Sequence, residues 1–100
     1  MNATSSLQKR ELLQESGQKT YVKAIPLREL SDIDKMKDEI SEGNILIVRI
    51  APIARHNVED TKKAVNDLKQ FAAELGGDIA RLGTERIVVT PPTVRIWRGE

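Results

Sequence analysis

Apolar and polar positions along the 100-residue chain change rhythm several times, and each change marks an element. In TYVKAIPL, β-branched and aromatic residues gather until Pro26 withdraws a ladder donor, which predicts a first strand from Tyr21. Ser31 then offers an N-cap oxygen with Asp34 three positions on, and Ile33, Met36 and Ile40 recur at helical spacing. Gly43 supplies the left-handed residue that closes this short amphipathic helix. The run NILIVRI, residues 44–50, is apolar at both alternating sets of positions apart from Arg49, the pattern of a central strand covered on both faces.

A longer helix follows. Asn57 is placed to cap it and Asp60 puts a carboxylate near its unpaired amides. Val58, Thr61, Val65, Leu68, Ala72 and Leu75 then alternate three and four apart, and Ala64 and Phe71 widen the stripe before Gly76 and Gly77 end it. The extra width suits either core packing or contact of Ala64 and Phe71 with a second subunit. DIARLG and RIVVT pair as a hairpin around Gly83, Thr84 and Glu85, Pro91 and Pro92 interrupt the second strand, and TVRIW is expected to resume as an edge strand. The fold class that results is α/β, a two-layer sandwich in the order β-α-β-α-β-β(-β). A mixed sheet of four to five strands carries two helices on one face. The other face is left bare although the central strand is apolar on both sides, so a second copy is the natural cover.

Composition narrows what this domain can do. There is no cysteine, which excludes disulfides, thiolate metal sites and a thiol nucleophile. Sixteen basic against 15 acidic residues leave a formal charge of +1, too little for phosphate neutralisation to drive nucleic-acid binding. No apolar run approaches the roughly 20 residues that cross a bilayer, and no secretory signal pattern opens the chain, so a cytoplasmic location is expected. Residues 1–20 hold few large apolar groups and are expected to form a flexible polar tail ahead of a core domain at 21–98. Leu7, Leu12 and Leu13 with Lys9 and Arg10 would make only a feeble membrane-surface helix.

Catalytic machinery is not apparent. His56 is the single histidine and stands at a helix start without a defined partner. The carboxylates are spaced neither as a metal cage nor as an acid/base pair. There is no phosphate-cradling glycine loop, because Gly76 and Gly77 lead from a helix into a strand rather than the reverse. No cofactor is expected.

The stretch from Asn44 to Val94, NILIVRIAPIARHNVEDTKKAVNDLKQFAAELGGDIARLGTERIVVTPPTV, resembles the core domain of the SepF family, cell-division proteins that tie the tubulin-like FtsZ filament to the membrane. GGDIARLG and IVVTPPTV carry the likeness most strongly. The resemblance implies a non-enzymatic adaptor that forms a homodimer or higher oligomer, binds the C-terminal tail of FtsZ, and works at the division site on the inner face of the membrane. It places tail binding on Arg81 of the first hairpin strand and Ile87 of the second. Val89 shares the strand face of Ile87, so an apolar patch beside a positive charge would suit a peptide with apolar anchors and a carboxylate. Gly76 and Gly77 fall near the family's self-association region, to which Ala64 and Phe71 are added from the stripe. Family members commonly carry an aromatic residue where Ile87 stands.

Two other functions fit a small sheet with two helices: a ligand-sensing regulatory domain and a nucleic-acid-binding module. With only Tyr21, Phe71 and Trp97 as aromatics, and none paired along a strand, base stacking has no platform. Arg49, Arg81, Arg86, Arg95 and Arg98 would have to supply a basic stripe instead. No nucleic acid is expected as a partner.

Overall fold

The computed structural model describes residues 19–99. It contains β1 (Val22–Pro26), α1 (Asp32–Ser41), β2 (Ile45–Arg49), α2 (Ala51–His56), α3 (Val58–Leu75), β3 (Asp78–Leu82) and β4 (Arg86–Thr90). The four strands form one sheet in the order β1-β2-β4-β3, in which β1 runs parallel to β2 and the other neighbours are antiparallel. This is the mixed α/β sandwich that the hydrophobic pattern predicts. The Leu7, Leu12, Leu13 segment lies outside the described residues.

One core joins the layers. On the sheet it takes Leu46 and Val48 from β2 and their ladder partners Val89 and Ile87 from β4. Ile33, Met36 and Ile40 of α1 and Ala64, Leu68 and Ala72 of α3 cover them, with Leu27, Ile50 and Ile53 closing one end. Burying a side chain the size of Leu68 or Ile40 contributes about 1.5–3 kcal/mol, which is why the spacing of these positions fixes both helices on the same face.

The ends of α3 are set locally. Asn57 is extended, and its Oδ1 accepts from the Asp60 N–H at 3.0 Å. At the other end Gly76 is left-handed (φ +85°), and the Gly77 N–H reaches the Ala72 carbonyl at 2.8 Å. Gly77 meets a different demand: a Cβ there would collide with the backbone carbonyl of Thr90, so only glycine lets the helix exit pass this close to β4. Ser31 contributes no side-chain cap to α1 and is itself helical; Asp32 Oδ2 accepts instead from the N–H groups of Arg28 and Glu29 at 2.9 and 3.2 Å.

The expected last strand needs correction. TVRIW is not a strand. Two prolines deny the ladder its donors, Thr90 Oγ1 donates to the Val94 carbonyl at 2.7 Å, and the Ile96 N–H goes to Asp78 Oδ2 at 3.0 Å rather than to a strand. Residues 51–56, unassigned by the pattern, form the six-residue α2, opened by a proline in its first turn. The central strand is covered on one face only: Leu46 and Val48 are buried, while Ile45 and Ile47 stay partly exposed on the other.

Candidate functional site

The β3–β4 hairpin pairs Arg81 directly with Ile87. Their two side chains share the sheet face that α3 covers, and the helix stops short of the strand edge. What remains is a groove of about 520 Å³ between α3 and β3. Ile50, Val65, Ile79 and Ile87 form its apolar floor and wall, while Lys62 and Lys69 from α3 and Arg81 from β3 line it as well, together with Thr61 and Asn66. Four of these residues, Lys62, Val65, Asn66 and Lys69, recur at i, i+3, i+4 and i+7 and so lie along one edge of the helix. No acidic side chain is among the lining residues. The groove therefore matches an extended or helical peptide that buries apolar side chains and presents carboxylates to the surrounding cations.

Of the residues the sequence points to, Arg81 is exposed, and Ile87, though only 2 % exposed, reaches the groove. Val89 is fully buried one ladder step away and supports Ile87 from within the core. Ala64 is likewise fully buried and has no surface to offer a partner from this conformation. Phe71 is half-buried against the core, with the Lys37 ammonium 5.5 Å from its ring centroid. Gly76 and Gly77 have the backbone roles already described. Lys62, Lys69 and Val65 were not singled out as site residues by the sequence; their heptad-like spacing beside the hairpin was the available signal.

The β3 end of the groove is tied to the chain that follows β4. Arg98 donates Nη1 to Asp78 Oδ2 at 2.9 Å and Nη2 to Asp78 Oδ1 at 3.0 Å, and Nη2 also reaches the Ile79 carbonyl at 3.0 Å. Asp78 further accepts the N–H groups of Ile96 and Ile79. The Arg98 guanidinium, with these two backbone donors, holds the Asp78 carboxyl well below the usual carboxylate range. At the outer edge of β1, Lys23 donates to Glu39 at 2.8 and 2.9 Å, and Asn44 Nδ2 donates to Glu39 Oε1 at 2.8 Å. Those two side-chain bonds lower the Glu39 carboxyl, and the Glu39 bond raises the Lys23 ammonium.

His56 lines a separate polar cavity of about 660 Å³ with Arg28, Glu29, Arg55 and Asp60 among its neighbours. Among the described residues, no group of three or more His, Cys, Asp or Glu side chains is placed to hold a metal ion, and no helix is long and apolar enough to cross a membrane.

The family model described as "Cell division protein SepF" matches residues 22–96. The chain belongs to the SepF family. A cell division protein SepF from Haloferax volcanii is 38% identical over 69 residues, which cover 67% of this chain and 56% of that protein, so the chain spans little more than half the length of that SepF. The SepF-like protein from Archaeoglobus fulgidus superposes with a TM-score of 0.74 at 29% identity, over 80% of this chain and 95% of that one. The SepF-like protein from Pyrococcus furiosus gives 0.73 at 30% identity, over 80% and 96%. Cell division protein SepF from Methanobrevibacter smithii, solved in complex with FtsZ-CTD, shares the fold at a TM-score of 0.71 and 20% identity, over 78% and 98%. The SepF fold thus extends over the region that the sequence likeness covers, and the hairpin and α3 lie inside it.

Proposed function

We propose that this SepF-family chain is a non-enzymatic division adaptor whose α3–β3 groove takes the C-terminal tail of FtsZ. The observation that carries the proposal is the pairing of Arg81 with Ile87 at one groove, apolar below and cationic around. The M. smithii relative, solved in complex with FtsZ-CTD, supports a peptide of this origin as the occupant. Apolar tail residues pack on Val65, Ile79 and Ile87, and tail carboxylates meet Lys62, Lys69 and Arg81.

The adaptor works as a dimer in this proposal. Ala24, Ile47, Val88 and Ala80 are register neighbours across all four strands, forming an apolar row on the sheet face opposite the helices. Val22, 62 % exposed, and Ile45 extend it. Two such faces stacked back to back dry a surface that one copy leaves wet, and the peptide grooves stay on the outer, helical side. Attachment of this dimer to the inner face of the membrane at the division site completes the link between filament and bilayer.

Titration of the folded protein with a synthetic FtsZ-tail peptide tests the assignment. Saturable binding that falls on Arg81→Glu supports it; absence of binding, or binding indifferent to Arg81 and Lys69 charge reversal, overturns it.

A further inference from the structure

Beyond the peptide groove, one end of the sheet concentrates arginine in an unusual way. Arg49 and Arg86 are direct partners on β2 and β4, so their side chains leave the same face at the same level. Like charges directly opposite one another destabilise a ladder. Arg55, from α2, lines the same small groove of about 170 Å³, together with Ala51, Pro52 and Glu85. Three arginines thus line a space in which Glu85 is the one acidic residue. Among the described residues, ion pairs join Lys23 to Glu39, Lys37 to Asp67 and Arg98 to Asp78; none engages Arg49, Arg55 or Arg86.

The choice of residue matters as much as the charge. The groove holds arginine and no lysine, although the chain carries lysine at Lys62, Lys63 and Lys69 on α3. Guanidiniums present planar, forked donors that match two oxygens of one oxyanion, whereas an ammonium acts as a point charge. The groove has room for a single tetrahedral group but not for a folded peptide segment. From the opposed pair, the third arginine and this size, we propose that Arg49, Arg55 and Arg86 form a phosphate-binding site distinct from the peptide groove. Its ligand is a phosphate ester, either of a soluble molecule or of a lipid headgroup. Phosphate there converts the repulsion between Arg49 and Arg86 into two charge-assisted contacts with a shared anion.

The test follows the arginine Nε–Hε signals of the full chain by NMR during titration with inorganic phosphate at constant ionic strength. In parallel, it measures cosedimentation with phosphatidylcholine vesicles and with vesicles containing phosphatidylglycerol. The Arg49→Gln/Arg86→Gln double variant is compared with Arg95→Gln, which removes one positive charge elsewhere. Expected are saturable shifts at Arg49, Arg55 and Arg86 in the parent and in Arg95→Gln, and an Arg55 shift that is about tenfold weaker or lost in the double variant. Without phosphate, the double variant is at least as heat-stable as the parent, because the like-charge pair is gone; this also shows that it folds. Phosphate saturation without a vesicle effect assigns a soluble ester, and arginine-dependent sedimentation confined to phosphatidylglycerol vesicles assigns a headgroup. Non-saturating shifts together with vesicle binding that is equal in all three proteins overturns the proposal.

Discussion

Arg81 and Ile87 face each other across the β3–β4 ladder, yet the first is in solvent and the second is almost fully buried. In the proposed function one pair thus combines recognition and packing, and substitution separates them. Arg81→Glu is expected to weaken FtsZ-tail binding about tenfold while leaving the melting temperature nearly unchanged. Ile87→Ala instead removes core volume and costs about 2–5 kcal/mol of stability. Calorimetric titration beside thermal denaturation checks the division of labour; a large stability loss in Arg81→Glu would contradict it.

The apolar row Ala24, Ile47, Val88 and Ala80 predicts where the proposed dimer can be broken. Ile47→Lys places a charge on that row, and a two-fold axis makes it enter the interface twice, at a cost of about 3 kcal/mol or more to association. Analytical ultracentrifugation should show dimer for the parent and monomer for the variant. Persistence of the dimer would place the interface elsewhere.

Asp78 makes stability depend on pH in a defined direction. Its folded-state carboxyl lies below the ordinary value of 3.8 because of Arg98 and the Ile96 and Ile79 amides. The stabilisation is fully present above 3.8 and is lost as pH falls from there through the lower folded value. Asp78→Asn should thus melt earlier than the parent at neutral pH, with the difference shrinking as the solution is acidified. A difference that grows on acidification would contradict this account.

Asn44 is 4 % exposed and bridges two elements: its Oδ1 accepts from the Tyr21 N–H at 3.1 Å and its Nδ2 donates to Glu39. Asn44→Ala leaves these partners without the bridge and is expected to cost about 1–3 kcal/mol. Chemical denaturation measures it, and Asn44→Asp, which keeps the acceptor but sets a second carboxylate beside Glu39, is not expected to rescue it.

Regular elements with a complete local signal were legible in the sequence. The three-and-four spacing of α3, bounded by Asn57 and Gly76, and the glycine turn of the hairpin left few alternatives. By contrast, α2 spans less than two turns and buries only Ile53, too little to establish a period. TVRIW has strand-forming residues, but its conformation is decided by Asp78, which captures the Ile96 N–H across 18 positions of sequence. Arg81 and Ile87 were named by the family resemblance, and the hairpin register is what sets them opposite each other. The cations across the groove were not named, because Lys62 and Lys69 arrive on another element and only the packing of α3 brings them to β3. Ala64 and Phe71, two turns apart in the stripe, part company in the fold: the alanine is fully buried, and the half-buried ring lies beside Lys37.

The most direct measurement is an amide-resolved NMR titration of the isotopically labelled protein with the FtsZ C-terminal peptide. Saturable shifts that cluster on Lys62, Val65, Lys69, Ile79 and Arg81 are predicted. Shifts centred on the His56 cavity or the open sheet face, with the α3–β3 groove unperturbed, would contradict the claim that this groove is where the filament is held.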